Sequence, residues 1–171
     1  DDKPAAVVRS QFMKLDFNTQ RNLELTQTML NKEKRGSLLW VLDKTKTSMG
    51  KRLLRSWVEK PLLNITKIIN RQSAVEELVN DTVNRLELTA ALTGIFDIER
   101  LMTKIVYGSA NARELRSLCQ AFGNLPMLKK IAEPFKSKLL HELYNDIDTL
   151  EDMRELIDSA IVDDPPFSVR E

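Results

Sequence analysis

The stretch GSLLWVLDKTKTSMGKRLLRSWVEKPL, Gly36 to Leu62, decides the fold class. Ser37 has the side chain to cap a short helix carrying Leu38, Leu39, Val41 and Leu42. Thr47 is the next capping residue, and Met49, Leu53, Trp57 and Val58 follow at spacings of three to four. Gly50 falls in the first turn of that helix, where it costs helix propensity and so points to close backbone packing. Pro61 ends the segment by forcing Lys60 towards an extended backbone. Cap, apolar face and stop recur in order, and this is the grammar of helices.

The same grammar runs outward on both sides. Residues 1–10 show no periodicity and read as a loop or frayed end, whereas Gln11 to Phe17 alternates weakly through Phe12, Leu15 and Phe17, as a short extended segment would. From Thr19 the pattern turns helical, with Leu23, Leu25, Met29 and Leu30 on one face, until the turn at Gly36. Beyond Pro61, Asn64 caps a helix whose inner face is read as Ile65, Ile68, Ile69, Val75, Leu78 and Val79. A break near Asn80 and Asp81 leads to a helix with Leu86, Leu88 and Leu92, ended at Gly94. Asp97 opens another with Ile98, Leu101, Met102 and Ile105, closed by Gly108. Asn111 with Glu114 matches the reciprocal capping pattern, placing Leu115, Leu118, Phe122 and Leu125 inside. Pro126 and Pro134 flank a weaker helix, Met127 to Ala132. One long last helix then carries Leu143, Ile147, Leu150, Ile157 and Ile161 in a heptad-like seam that Pro165 and Pro166 terminate, and Phe167 to Arg170 reads as the start of a strand. No repeat of 20–50 residues is present, which argues against a solenoid. The expected fold is all-α, a bundle of roughly seven to nine helices with at most one short strand at either end.

Composition agrees. With 42% hydrophobic and 30% charged residues, the chain has a soluble globular balance, and only 5 glycines and 6 prolines interrupt a Leu-, Glu-, Lys- and Arg-rich sequence. No apolar run approaches the roughly 18 residues a bilayer span needs. The single cysteine, Cys119, excludes an internal disulfide and fits a reducing compartment, so a cytoplasmic location is expected. The chain opens on Asp1 rather than Met and stops at Glu171 in mid-phrase, as an excised piece of a longer protein would. Charge is uneven beneath a net value of +1. Asn31 to Lys60 holds nine bases against three acids, and Ser137 to Glu171 holds three bases against ten acids. A basic end suits phosphates and an acidic end is repelled by them; the alternative is that each is a solvated helix face.

Residues for catalysis are lacking. Gly36, Gly50, Gly94, Gly108 and Gly123 are far apart and none begins a phosphate-binding loop. His141 and Cys119 are the only residues of their kinds, so a zinc site or a Cys–His nucleophile would need remote single residues. Cys119 shares a helical face with Leu115 and Phe122 and reads as a core residue; His141 reads as a surface one. The pairs Glu151-Asp152 and Asp163-Asp164 are adjacent in sequence, and adjacent helical residues do not face each other. Trp40 and Trp57 have apolar neighbours, which predicts core packing rather than base stacking.

The Gly36 to Leu62 stretch resembles the MutS family of DNA mismatch-repair ATPases, whose phrase there has a Gly-Ser-Leu-Leu opening, an Asp-x-Thr-x-Thr-x-Met-Gly centre and an Arg-Leu-Leu-x-x-Trp…Pro-Leu close. Thr19 to Leu25, Arg71 to Leu78, Asp97 to Leu101, Arg113 to Leu115, Ala160 to Pro166 and Val169 to Glu171 resemble further pieces of the family in the same order. The resemblance covers Phe12 to Glu171. It implies the bundle of the family's core, or lever, with residues 1–11 a linker from a preceding connector region and residues 12–171 the helical core domain, ending where the family's clamp begins.

The resemblance also implies function. Proteins of the family enclose mismatched duplex DNA as dimers, read the mismatch with an inserted aromatic, and hydrolyse ATP with Mg2+ at a P-loop site. This chain resembles neither reader nor ATPase, so no catalysis and no cofactor of its own is expected; its implied role is to link mismatch recognition and clamp to the ATPase, and no membrane is involved. Candidate phosphate contacts are Lys44, Lys46, Lys51, Arg52 and Arg55, and candidate interhelical ion pairs involve Arg71, Asp97, Glu99 and Arg100. Two alternatives stand beside the lever reading: a stand-alone DNA-phosphate-binding module, or a generic helical protein-interaction module. Apolar surface left exposed would favour self-association.

Overall fold

A helix leaves its first four amide N–H groups without partners, and a side-chain oxygen just ahead of the first turn takes one of them. The computed structural model, which describes residues 11–166, shows these caps along the chain. Asp16 Oδ1 accepts from the Thr19 N–H at 2.6 Å and opens α1 (Phe17–Asn22). Ser37 Oγ accepts from Trp40 N–H at 3.3 Å ahead of α2 (Leu38–Leu42), and Thr47 Oγ1 from Gly50 N–H at 3.0 Å ahead of α3 (Ser48–Glu59). Asn64 does the same for α4 (Ile65–Asn80), Asp81 for α5 (Thr82–Thr93) and Asp97 for α6 (Ile98–Val106). At α7 (Ala112–Gly123) the reciprocal box is complete: Asn111 Oδ1 accepts from Glu114 N–H at 2.9 Å, and Glu114 Oε2 accepts from Asn111 N–H at 3.1 Å. The helices α8 (Leu125–Ala132), α9 (Lys138–Asp146) and α10 (Glu151–Ala160) bring the number to ten among the described residues, with no sheet.

The described residues divide into two units, one of residues 11–44 and 52–71, the other of residues 45–51 and 72–166. In the first, Leu25, Ser37 and Leu39 are buried, and the Leu38 and Leu39 N–H groups donate to the carbonyls of Glu24 and Leu25 at 3.0 and 2.8 Å. Gly36 makes this approach possible: its φ is +91°, and a Cβ there would meet Thr28 Cγ2 at 3.1 Å. The extended segment expected near Gln11 is one antiparallel bridge, Phe12 to Leu62, flanked by Met13 N–H to Pro61 O at 2.8 Å and Leu63 N–H to Gln11 O at 3.0 Å.

In the second unit α7 is central, packing on α6, α8 and α10, while α5 packs on α8 and α8 on α9. Leu118, Cys119, Ala121 and Phe122 of α7 are buried with Ile95, Ile131, Ala132 and Phe135. Asn124 joins three helices. It follows α7, its carbonyl accepts the α8 amide of Leu128 at 3.0 Å, and its Nδ2 donates to Gly94 O just past α5 at 2.9 Å.

Four expectations need correction. The first helix stops at Asn22, and Leu23 to Gly36 is a run of turns in which Glu24 and Lys32 take positive φ. Local hydrogen bonds replace the helical ladder there, among them Met29 N–H to Glu24 Oε1 at 2.6 Å. The long last helix is two, α9 and α10. Between them the Asp148 carboxylate accepts from Leu150 N–H at 3.0 Å, and Leu150 sits at φ +50°. Pro126 lies inside the first turn of α8 rather than ahead of it, where its missing N–H costs nothing.

The fourth correction concerns faces. Leu53 and Trp57 of α3, Ile65, Ile69, Val75 and Val79 of α4, Leu86, Met102 and Leu143 are exposed, and so is Trp40. Periodicity identified the apolar side of each helix, but a side is buried only where a neighbour covers it. Phe167 to Arg170, expected as a strand, lies outside the described residues, as do residues 1–10.

Candidate functional site: a basic stretch and an arginine-held helix pair

The five basic candidates follow α2 and run into α3. Lys44 and Lys46 lie in the connection, and Lys51, Arg52 and Arg55 on α3; all are exposed. Arg55 Nε pairs with Glu59 Oε1 at 2.8 Å, one turn on. Lys44, Arg52 and Arg55 belong to the first unit, Lys46 and Lys51 to the second.

The candidate ion-pair residues have distinct surroundings. The Arg71 guanidinium lies 3.5 Å from the centroid of the Trp57 ring, a cation–π stack, and burial pulls its pKa down from the ordinary guanidinium value. Trp57 remains 37% exposed, so this pair is surface furniture of the first unit rather than its core. Asp97 caps α6, and Glu99 lies in the first turn of that helix, where negative charge is favoured by its dipole. Arg100 lines an open cleft of about 300 Å3 with Phe96, Asp97, Leu101, Lys104, Glu114 and Ser117. Lys104 pairs with Glu114 across it, and that hydrogen bond, with the one from Asn111 N–H, holds the Glu114 carboxyl below the usual carboxylate range.

Three arrangements in the second unit had no signal in sequence spacing. The Glu77 carboxylate of α4 accepts the backbone N–H groups of Lys136 at 2.7 Å and Ser137 at 2.8 Å, capping α9 from a distance. Burial pushes this carboxyl up, but the Lys136 and Ser137 hydrogen bonds outweigh it and leave the group below its ordinary value. Lys129 Nζ satisfies the Ile147 carbonyl past the end of α9 at 2.6 Å.

The third is the seam of α7 and α10. Arg116, its side chain only 13% exposed, donates from Nη1 to Asp158 Oδ1 at 2.7 Å and to Ile161 O at 3.4 Å, and pairs through Nη2 with Asp163. Its pKa is raised, first by the Asp158 hydrogen bond. One turn earlier, Arg113 Nε donates to Pro165 O at 2.9 Å, and its Nη2 lies 4.0 Å from Asp164. Beneath α10, the buried Cys119 thiol faces Arg154 O at 3.6 Å, a core residue as expected. His141 is exposed and stacks on Tyr144 with centroids 6.2 Å apart. These contacts join and align helices. No three His, Cys, Asp or Glu residues among those described come together as metal ligands would, and no described helix is long and apolar enough to cross a membrane.

Comparison with known proteins gives a consistent result. The sequence model of the family described as MutS domain III matches residues 18–171. The DNA mismatch repair protein MutS of Acetivibrio thermocellus is 50% identical over 161 residues, which is 94% of this chain and 18% of that protein. Those of Alkaliphilus oremlandii and Clostridium novyi are 52% and 49% identical over 93% and 94% of the chain, again 18% of each relative. The chain therefore spans less than a fifth of the length of the relatives it matches. With ten helices among its described residues, the chain belongs to the MutS domain III family.

Proposed function

We propose that this chain is the helical core segment of a DNA mismatch-repair protein, a mechanical link that performs no chemistry. Its work is to pass conformational change between the parts of such a protein that grip mismatched duplex DNA and the part that hydrolyses ATP with Mg2+, within an assembly of two subunits. The observation that carries the reading is the family match over residues 18–171, together with about 50% identity to proteins named for mismatch repair. The physical basis is packing: helices at native density move as near-rigid bodies, so a displacement at one end reaches the other. No glycine-rich phosphate loop occurs in the chain, so the ATP-dependent steps belong to the remainder of such a protein.

The test uses a full-length chimera in which this segment replaces the matching region of the Acetivibrio thermocellus protein. Phe122→Ala empties a core position that is 3% exposed, at a cost of about 3–5 kcal/mol. Mismatched-duplex binding and ATP hydrolysis should each survive while the effect of one on the other weakens. Unchanged coupling in a demonstrably loosened core refutes the link.

The uneven charge supports a second reading, in which Lys44, Lys46, Lys51, Arg52 and Arg55 contact DNA phosphates. Five such contacts give a log–log salt slope of roughly −4 to −5 for duplex binding. Absence of binding by the segment at low salt removes the stand-alone form of this reading.

A further inference from the structure

Helix α10 packs on α7. It buries no residue fully; Ile157 is half-buried, and Met153 and Leu156 are exposed. Its first residue follows Leu150 at φ +50°, and no side chain caps it. Against α7 it and the following segment, Ile161 to Pro166, are held by Arg113 and Arg116, one turn apart on α7. Their acceptors are the carboxylates of Asp158, Asp163 and Asp164 and the carbonyls of Ile161 and Pro165.

We propose that α10 and Ile161–Pro166 form a charge-locked latch on α7, which opens as a unit while the α7–α8 core stays folded. The asymmetry of the seam supports this. Asp158 and Asp163 are largely in water, and exposed ion pairs of that kind contribute little singly. Arg116 is mostly withdrawn from water, and its Nε has no partner. Its charge is compensated while the latch supplies carboxylates, so electrostatics add to the packing of α10 on α7 in holding the latch closed. Screening acts directly on that contact, the Debye length falling from roughly 10 Å at 0.1 M salt to roughly 3 Å at 1 M. Opening exchanges an acidic surface for a basic one, because it removes three aspartates and uncovers two arginines.

Cys119 reports the opening without any added probe. It is the sole cysteine, 5% exposed, and it lies under α10 against Arg154 O. The experiment measures the rate at which N-ethylmaleimide modifies Cys119 in the whole chain, with the urea midpoint recorded at each salt concentration. Labelling at 1 M NaCl should be about ten-fold faster than at 0.1 M, more than the urea midpoint accounts for. The Asp158→Asn, Asp163→Asn double variant should label fast at 0.1 M and lose the salt response. Adding Arg116→Met to it removes the stranded cation and should restore slow labelling. Salt-independent labelling of the parent chain, or labelling that tracks global unfolding alone, overturns the latch. A triple variant that labels as fast as the double one overturns the role of charge. Should the double variant fail to fold, the parent salt series and the triple variant decide the matter.

Discussion

Replacing Glu77 by Gln should loosen the second unit by an amount the structure sets. The carboxylate accepts two backbone N–H groups, at 2.7 and 2.8 Å, where α9 begins without a side-chain cap of its own. A hydrogen bond to a charged acceptor contributes about 1.5–3 kcal/mol, and a neutral one about 1 kcal/mol. Glutamine offers one acceptor oxygen and turns an NH2 donor towards the other amide, so one bond disappears and the second weakens. The desolvation that glutamine escapes offsets part of this, leaving a net loss of about 2 kcal/mol. For a chain of this size the loss lowers Tm by about 4–8 °C. The assay is thermal and urea unfolding by circular dichroism at pH 7 and at pH 3. Glu77 has a folded pKa below its ordinary value of 4.5, so its contribution is complete above that value and vanishes as pH falls through the lower folded one. The gap between the two proteins should therefore be wider at pH 7 than at pH 3. Equal stability at pH 7, or a gap of the same size at both pH values, refutes the assignment of Glu77 as the cap of α9.

Two further substitutions test the local grammar. Gly36→Ala should destabilise the first unit by about 1–2 kcal/mol, because φ +91° is costly for a side-chain-bearing residue and Thr28 must also give way; an unchanged urea midpoint contradicts this. Asn111→Ala removes the acceptor for Glu114 N–H and should cost about 0.5–2 kcal/mol, with hydrogen exchange accelerated at the first turn of α7 and little changed in α8.

Helix boundaries were legible wherever a polar residue caps its own helix. Ser37, Thr47, Asn64, Asp97 and Asn111 announce their helices because cap and amide are three residues apart, and Pro61 announces a stop. The α9–α10 break was hidden because Asp148 and Leu150 sit in a seam whose apolar spacing continues across it. Which faces are covered was illegible as well. Ile65, at 72% exposed, and Ile131, at 7%, are the same residue type on two helices, and their burial follows from the neighbours that cover them. The candidate charges were named by type and position, but their surroundings depend on long-range geometry: Arg71 stacks on Trp57, while the unnamed Arg116 reaches 42 to 47 residues along the chain to Asp158 and Asp163. The family resemblance was legible because it rests on cap, stop and core residues in a fixed order.

The joint at Asn124 has a kinematic consequence. One side-chain amide ties the carbonyl after α5 to the residue where α7 ends and α8 starts, and a Cβ on Gly94 would stand 3.2 Å from that amide. While this hydrogen bond holds, a pull on the end of α5 is delivered to the junction of α7 and α8. Three helix ends thus meet at one side chain, and a displacement of any of them is felt first at Asn124.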